Sequence, residues 1–244
     1  MIETITMRAP TKIACASCDH AESGLASRLD ALHLARFEQD KSVQVLRAGQ
    51  TLFCEGGPAH AVYCVRSGRF KLFKLDLNGE PLVLRFAPPG GSLGLCSAVA
   101  GRPHEDTAEA IMDSTVCVIP IATFKECATR SPAMASGIMR GLALELREAH
   151  ERMMHLAHLD VMQRAARMLL TMNDELQRLP AQTGSQVHIK HMDLAAMIGT
   201  TPESFSRVLH ALRERGVIEV TREAIRITDA SKLRAIARVP AEVG

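Results

Sequence analysis

The chain changes its hydrophobic period once, near residue 132. Before that point, short apolar runs alternate with turn residues. Val43-Gln-Val-Leu46 leads through Ala48-Gly49 to Thr51-Leu-Phe-Cys54, and Glu55-Gly-Gly-Pro58 turns the chain into Ala61-Val-Tyr-Cys-Val65. Arg66-Ser-Gly68 precedes the alternating run Phe70-Lys-Leu-Phe-Lys-Leu75. Asn78-Gly79, the strongest short hairpin signal, joins that run to Leu82-Val-Leu-Arg-Phe86. Pro88-Pro-Gly-Gly91 breaks the pattern, and Thr115-Val-Cys-Val-Ile119 closes it. Many short strands with regular turns predict an all-β roll or barrel.

After Pro132 the period becomes helical. Leu142, Leu146, Ala149, Met153 and Leu156 recur at spacings of 4, 3, 4 and 3, with Arg140, Glu145, Arg147 and Glu148 on the flanks. This is a heptad-like seam on one long helix, with no proline between Pro132 and Leu159 to interrupt it. A parallel pair of such helices makes a two-fold dimer; the alternative is an amphipathic helix lying on its own domain. A second helix is predicted from Asp160 to Leu179, a loop over Pro180–Ser185, and a compact helical remainder with a hairpin after Gly216.

Within that remainder the stretch from Met192 to Leu212 is the most informative in the chain. Asp193 is expected to N-cap a short helix whose apolar face is Leu194, Met197 and Ile198. Gly199 supplies a tight left-handed turn. Thr201 then caps a second helix and Pro202 occupies its first position, where a missing N–H costs nothing. Phe205, Val208, Leu209 and Leu212 face inward, leaving Glu203, Ser206, Arg207 and His210 outward. Such a pair is a helix-turn-helix, whose second helix enters the major groove of duplex DNA. Arg207 can bond guanine O6 and N7 together, Glu203 can accept from cytosine N4, and Ser206 is adaptable. Thr201, Glu203, Ser206, Arg207 and His210 are the candidate DNA-contacting set. Ala224-Ile-Arg-Ile227 completes a β-hairpin wing with Gly216–Val220, and Arg222 and Arg226 are available there for phosphates.

Composition sharpens this picture. Hydrophobic residues make up 47% of the 244, so a core can be buried; aromatics are only 3%, which disfavours an RNA surface built on stacking. The formal net charge of +2 excludes a blanket electrostatic binder but not a local basic face. No uncharged apolar run is long enough to span a membrane, and the N-terminus lacks a secretory signal, so a cytoplasmic location without membrane partners is expected. Seven cysteines there argue against a disulfide framework.

A β-roll, a long dimer helix and a winged helix-turn-helix, in that order, resemble the CRP/FNR family of bacterial transcription regulators, over nearly the whole chain. The Glu203-x-x-Ser206-Arg207 pattern, Gln50-Thr-Leu-Phe53 and Val65-Arg-Ser-Gly68 are similar to the FNR branch. The resemblance implies an α+β chain: a Cys-bearing leader over 1–24, a sensor β-roll of the cyclic-nucleotide-binding jelly-roll type over 25–131, a dimerisation helix over 132–159 and a DNA-binding domain over 160–244. It also implies a homodimer on palindromic double-stranded DNA with TTGAT-type half-sites, RNA polymerase as a partner, and no enzymatic activity.

The same resemblance guides the choice of signal. The family's cyclic-nucleotide pocket needs an acid after its glycine and an arginine before a small pair; here Ser92 follows Gly91, and Asp106 precedes Thr107-Ala108, so cyclic nucleotide is not the expected ligand. Iron–sulfur members carry an N-terminal cysteine cluster and one cysteine in a Val-Cys-x-Ile-Pro stretch. This chain has Cys15-x-x-Cys18 and Val116-Cys117-Val-Ile-Pro120, which implies an iron–sulfur cluster, of [4Fe-4S] type, sensing oxygen or redox state. The third leader cysteine of that pattern is replaced by Gly24, so the fourth ligand is open: Asp19, His20, Cys54, Cys96 or solvent. Zinc, a thiol switch or idle thiols are the alternatives. Gly90-Gly-Ser92-Leu-Gly94 also matches a nucleophile elbow, but following Pro88-Pro89 in a β-rich region it reads as a turn rather than a Ser92 hydrolase. His150, His155 and His158 are not expected to be ligands.

Overall fold

A computed structural model describes residues 14–20, 24–178, 189–221 and 225–239. The expected loop over Pro180–Ser185 and the wing residue Arg222 lie outside the described residues. The strands of the N-terminal half are β1 (Ser42–Leu46), β2 (Thr51–Phe53), β3 (Ala61–Ser67), β4 (Phe70–Leu75), β5 (Pro81–Ala87), β6 (Ser92–Leu93), β7 (Thr107–Ala110) and β8 (Ser114–Pro120). They form two four-stranded sheets, ordered β1-β8-β3-β6 and β2-β7-β4-β5. The predicted β-roll is therefore present. Helices α1 (Ala31–Asp40), α2 (Leu95–Ala100) and α3 (Ile121–Arg130) and strands β6 and β7 are additions that the alternating pattern did not signal. The long helix α4 runs Pro132–His158 without a break, one residue short of the expected end.

The chain divides into two compact units: Met1–Asn78 with Leu84–Leu146, and Gly79–Val83 with Arg147–Gly244. In the first, the β1-β8-β3-β6 sheet is buried on both faces, by alternation along β3 and β8. Val65 and Val116 point into the space between the sheets, with Phe70, Leu72 and Leu93. Val62 and Ile119, on the opposite parity, meet a layer built from Phe37 of α1, Phe124 of α3 and Met134 and Ile138 of α4. A sheet covered on both faces needs such near-continuous apolar strands.

The second unit contains α5 (Val161–Arg178), α6 (His191–Met197), α7 (Pro202–Glu214), the hairpin of β9 (Ile218–Val220) and β10 (Ile225–Ile227), and α8 (Ala230–Ile236). Asp160 and Gln163 cap the start of α5 reciprocally: Gln163 N donates to Asp160 Oδ1 at 2.9 Å, and Asp160 N donates to Gln163 Oε1 at 3.1 Å. Ala165, Leu169, Phe205, Leu209, Leu212 and Leu233 are buried and form its core residues.

Candidate nucleic-acid interface and thiol cluster

The helix-turn-helix forms as its local signals require. Thr201 is the N-cap of α7, accepting from Ser204 N at 3.2 Å, with Pro202 in the first turn. Gly199 sits at φ +63°, so the turn between α6 and α7 uses the left-handed conformation that glycine adopts freely. Phe205, Leu209 and Leu212 are buried, and Thr201, Glu203, Ser206, Arg207 and His210 are all exposed along the other face of α7.

One detail differs. Asp193 is not the cap of α6; Lys190 is, and Asp193 lies inside the first turn, buried. An acidic residue there still faces the positive end of the helix dipole, so the residue type suits the first turn as well as the cap, and the local pattern alone did not choose between them.

On the exposed face, Arg207 Nη2 donates to Ser204 Oγ at 3.0 Å, and His210 Nε2 lies 3.8 Å from Glu214 Oε1. Hydrogen bonds from the start of the helix, and then the nearby Arg207 charge, hold the Glu203 carboxyl below its ordinary value, so it is an acceptor at neutral pH. Arg226, on β10, is exposed as well.

Sequence reasoning missed the residue that holds this motif in place. Arg164 of α5 donates from Nη1 to Leu159 O at 2.7 Å, from Nε to Ile198 O at 2.8 Å and from Nη2 to Gly199 O at 3.4 Å. The only sequence signal was an arginine on an otherwise amphipathic helix.

Along α4 the seam residues differ in their surroundings. Leu142 is half-buried against the core of its own unit. Leu146, Met153 and Leu156 remain 57%, 58% and 46% exposed, so the part of the seam after Leu142 is an apolar stripe in water. His155 meets Arg167 Nη1 at 3.1 Å; burial, and then that guanidinium, push its pKa down. His150 and His158 are exposed.

In the first unit, Cys15 opens a short 3-10 turn, Cys15–Ser17. It is docked: its backbone N–H donates to Glu38, its thiol accepts from Lys41 Nζ at 2.9 Å, and its side chain packs on the α1/α3 core. Cys117 lies on β8 and packs against the same core. Cys18, half-buried, is close enough to act electrostatically on Cys117. The pKa of Cys117 is raised by burial first, with Lys41 and Arg66 opposing. Cys15 and Cys117, from two separated segments, thus pack on one core, with Cys18 in electrostatic range.

Cys54 and Cys96, suggested as further ligands, are exposed. Cys96 lies beside Glu145 instead, 3.7 Å away, and burial with that carboxylate pushes its thiol up to about 11. A residue not singled out from the sequence, Cys64 of β3, stands directly opposite Cys117.

Among the described residues, no three His, Cys, Asp or Glu side chains converge closely enough to hold a single metal ion. A tetrahedral zinc site would need sulfurs within about 4 Å of each other. A four-iron cluster spreads its ligands further, because each thiolate binds its own iron. The donor set is all thiol with cations beside it, so by its chemistry it fits an iron–sulfur cluster.

Ser92 lies on β6 of an antiparallel sheet, its carbonyl accepting from Arg85 Nη2 at 3.2 Å. Arg85 pairs with Glu145 at 2.7 Å, and burial raises the Asp106 carboxyl nearby. No helix among the described residues is long and apolar enough to cross a membrane.

Family models match both halves of the chain: the cyclic nucleotide-binding domain over residues 43–131 and the Crp-like helix-turn-helix domain over 163–236. The chain is 30% identical over 214 residues to the Cyclic AMP receptor protein of Thermus thermophilus, covering 88% of this chain and 94% of that protein. It is 28% identical to the Nitrogen fixation regulation protein FixK of Bradyrhizobium diazoefficiens, covering 97% and 99%. The solved structure of FixK2 from Bradyrhizobium japonicum superposes with a TM-score of 0.73 at 26% identity, covering 82% of this chain and 99% of that one.

Proposed function

Because the chain belongs to the CRP/FNR family of DNA-binding transcription regulators, and its relatives are regulators rather than enzymes, we propose that it acts as a cytoplasmic homodimer that reads palindromic DNA and reports oxygen or redox state to RNA polymerase. The observation that carries the sensing half of this reading is the docking of Cys15 on the core that also holds Cys117.

The division of labour follows the chain. The leader over 1–24 and the β-roll over 25–131 sense, the helix over 132–159 pairs two protomers, and residues 160–244 bind DNA. The exposed stripe of Leu146, Met153 and Leu156 supports pairing, since burying each such side chain is worth roughly 1.5–3 kcal/mol. Arg207, Glu203 and Ser206 would read base edges of a TTGAT-type half-site, with Thr201 and His210 at the margins of the contact. Two recognition helices a helical turn apart would give the dimer its affinity.

Cys15, Cys18 and Cys117 would hold the cluster, of [4Fe-4S] type. When bound, it supplies oxygen-labile redox chemistry that an apolar thiol pocket lacks. Lys41 steadies Cys15, and Arg66 and Lys41 favour the ionised form of Cys117. Cyclic nucleotide is not the ligand in this reading: Asp106, an acid, directly precedes Thr107 where a cyclic phosphate needs a cation, and Arg85 nearby is paired with Glu145.

Anaerobic purification tests the proposal. It predicts a brown protein containing iron and sulfide, bleached by air, with DNA affinity changing as it bleaches. A colourless, iron-free protein after anaerobic reconstitution would remove the cluster.

A further inference from the structure

β3 and β8 pair antiparallel with Cys64 opposite Cys117. Directly opposed side chains leave the same face of a sheet, with Cβ atoms about 4.5–5.5 Å apart. The next pair on that face, Val62 with Ile119, is buried under α1 and α3, and Cys15 of the leader packs on the same core. Cys15, Cys18 and Cys117 all act electrostatically on Cys64, and Cys15 and Cys18 act on Cys117. Four of the seven cysteines therefore gather at one patch. The others do other things: Cys54 and Cys96 are exposed, and the Cys127 thiol faces the His33 carbonyl at 3.9 Å.

Burial raises both strand thiols in the empty site, and nearby cations oppose that rise at Cys117. Lys41, buried, reaches Cys15, and both Lys41 and Arg66 favour thiolate at Cys117. The Leu25 backbone amide acts on the Cys64 sulfur so as to favour its thiolate, the kind of influence that tunes a metal-bound thiolate. The alternation of β3 fixes the side: Tyr63 and Val65 belong to the core between the sheets, so Cys64 faces the leader.

From this juxtaposition we infer that Cys64 is the fourth thiolate of the iron–sulfur site, standing in for the leader cysteine that Gly24 replaces. The inference rests on the cluster reading above. Two ligands would then come from paired strands and two from the leader, so that a filled site would fasten the leader to the sheet more firmly than its contacts with Glu38, Lys41 and the core do alone.

Anaerobic reconstitution of the full chain, followed by desalting and iron and sulfide analysis, tests it. The wild type is expected to keep about four irons per protomer and Cys64→Ser less than about a tenth of that, while Cys54→Ser and Cys96→Ser keep all of it. Far-UV circular dichroism of the apo Cys64→Ser chain, matching that of the apo wild type, separates loss of the ligand from loss of the fold. Anaerobic alkylation of the wild type, read by mass spectrometry, should find Cys15, Cys18 and Cys117 protected when loaded and labelled after the iron is stripped, with Cys54 labelled in both states. A loaded wild type together with full iron in Cys64→Ser overturns Cys64 as the ligand and leaves the cluster reading standing. An iron-free wild type overturns both.

Discussion

Arg164 donates to the Ile198 carbonyl at 2.8 Å and so fastens the turn of the helix-turn-helix to α5. The same guanidinium reaches Leu159 O and Gly199 O, which ties the junction after α4 to the turn before α7. Arg164→Ala removes all three bonds and leaves carbonyls without their donor. We expect a loss of about 1–3 kcal/mol in thermal or denaturant unfolding, and weaker binding to DNA. Arg164→Lys keeps the charge but not the planar fork, and should recover only part of either.

Gly199 offers a second check of the same junction. Its φ is +63°, and a β-carbon there would come within 3.0 Å of Leu156 Cδ2. Gly199→Ala should cost about 1–2 kcal/mol of stability through backbone strain. If unfolding were unchanged, the turn would not be held as described.

The exposed α4 stripe predicts association. Met153→Glu places a charge where Met153 is 58% exposed in one protomer and would be buried in two. Light scattering should show the wild type as a dimer and the variant shifted toward monomer, with little change in circular dichroism. An equally dimeric variant would move the interface elsewhere.

The recognition motif was legible because its signals are local. Gly199, Thr201 and Pro202 each settle a backbone conformation within a few residues, and the apolar face of α7 follows from its period. The strands were equally visible wherever a turn signal bounded them, as at Asn78-Gly79. Cys64 was not, because its importance lies in the register of β3 on β8, and pairing between strands so distant in sequence cannot be read from either alone. Arg164 was hidden for the same reason: two of its three partners are backbone carbonyls at the end of α6, more than thirty residues away. Helix α2 and strand β7 are short and built from small residues, too brief for a period to show.

Titration of the thiols gives a pH prediction. In the folded apo chain Cys64 is pushed up to about 12, by burial first and then by the neighbouring cysteines. An unfolded cysteine ionises near its ordinary value of 9.0. Above that value the unfolded chain binds fewer protons than the folded one, so stability is whole below about 9 and falls as pH rises toward about 12. Denaturant midpoints of the apo protein should drop across that window, and less so in Cys64→Ala. A midpoint independent of pH there would mean Cys64 is not buried as described.

Binding of the purified dimer to duplex DNA, followed by fluorescence anisotropy over a range of salt, bears most directly on the account. Two TTGAT half-sites in inverted repeat, about 10 bp apart, should be preferred over a scrambled duplex by at least about a thousandfold, with affinity falling steeply as salt rises. Arg207→Ala should cost about 1–3 kcal/mol and relax base choice at one position in each half-site. Equal affinity for the palindrome and the scrambled duplex would contradict the assignment of α7 as the helix that reads TTGAT-type half-sites.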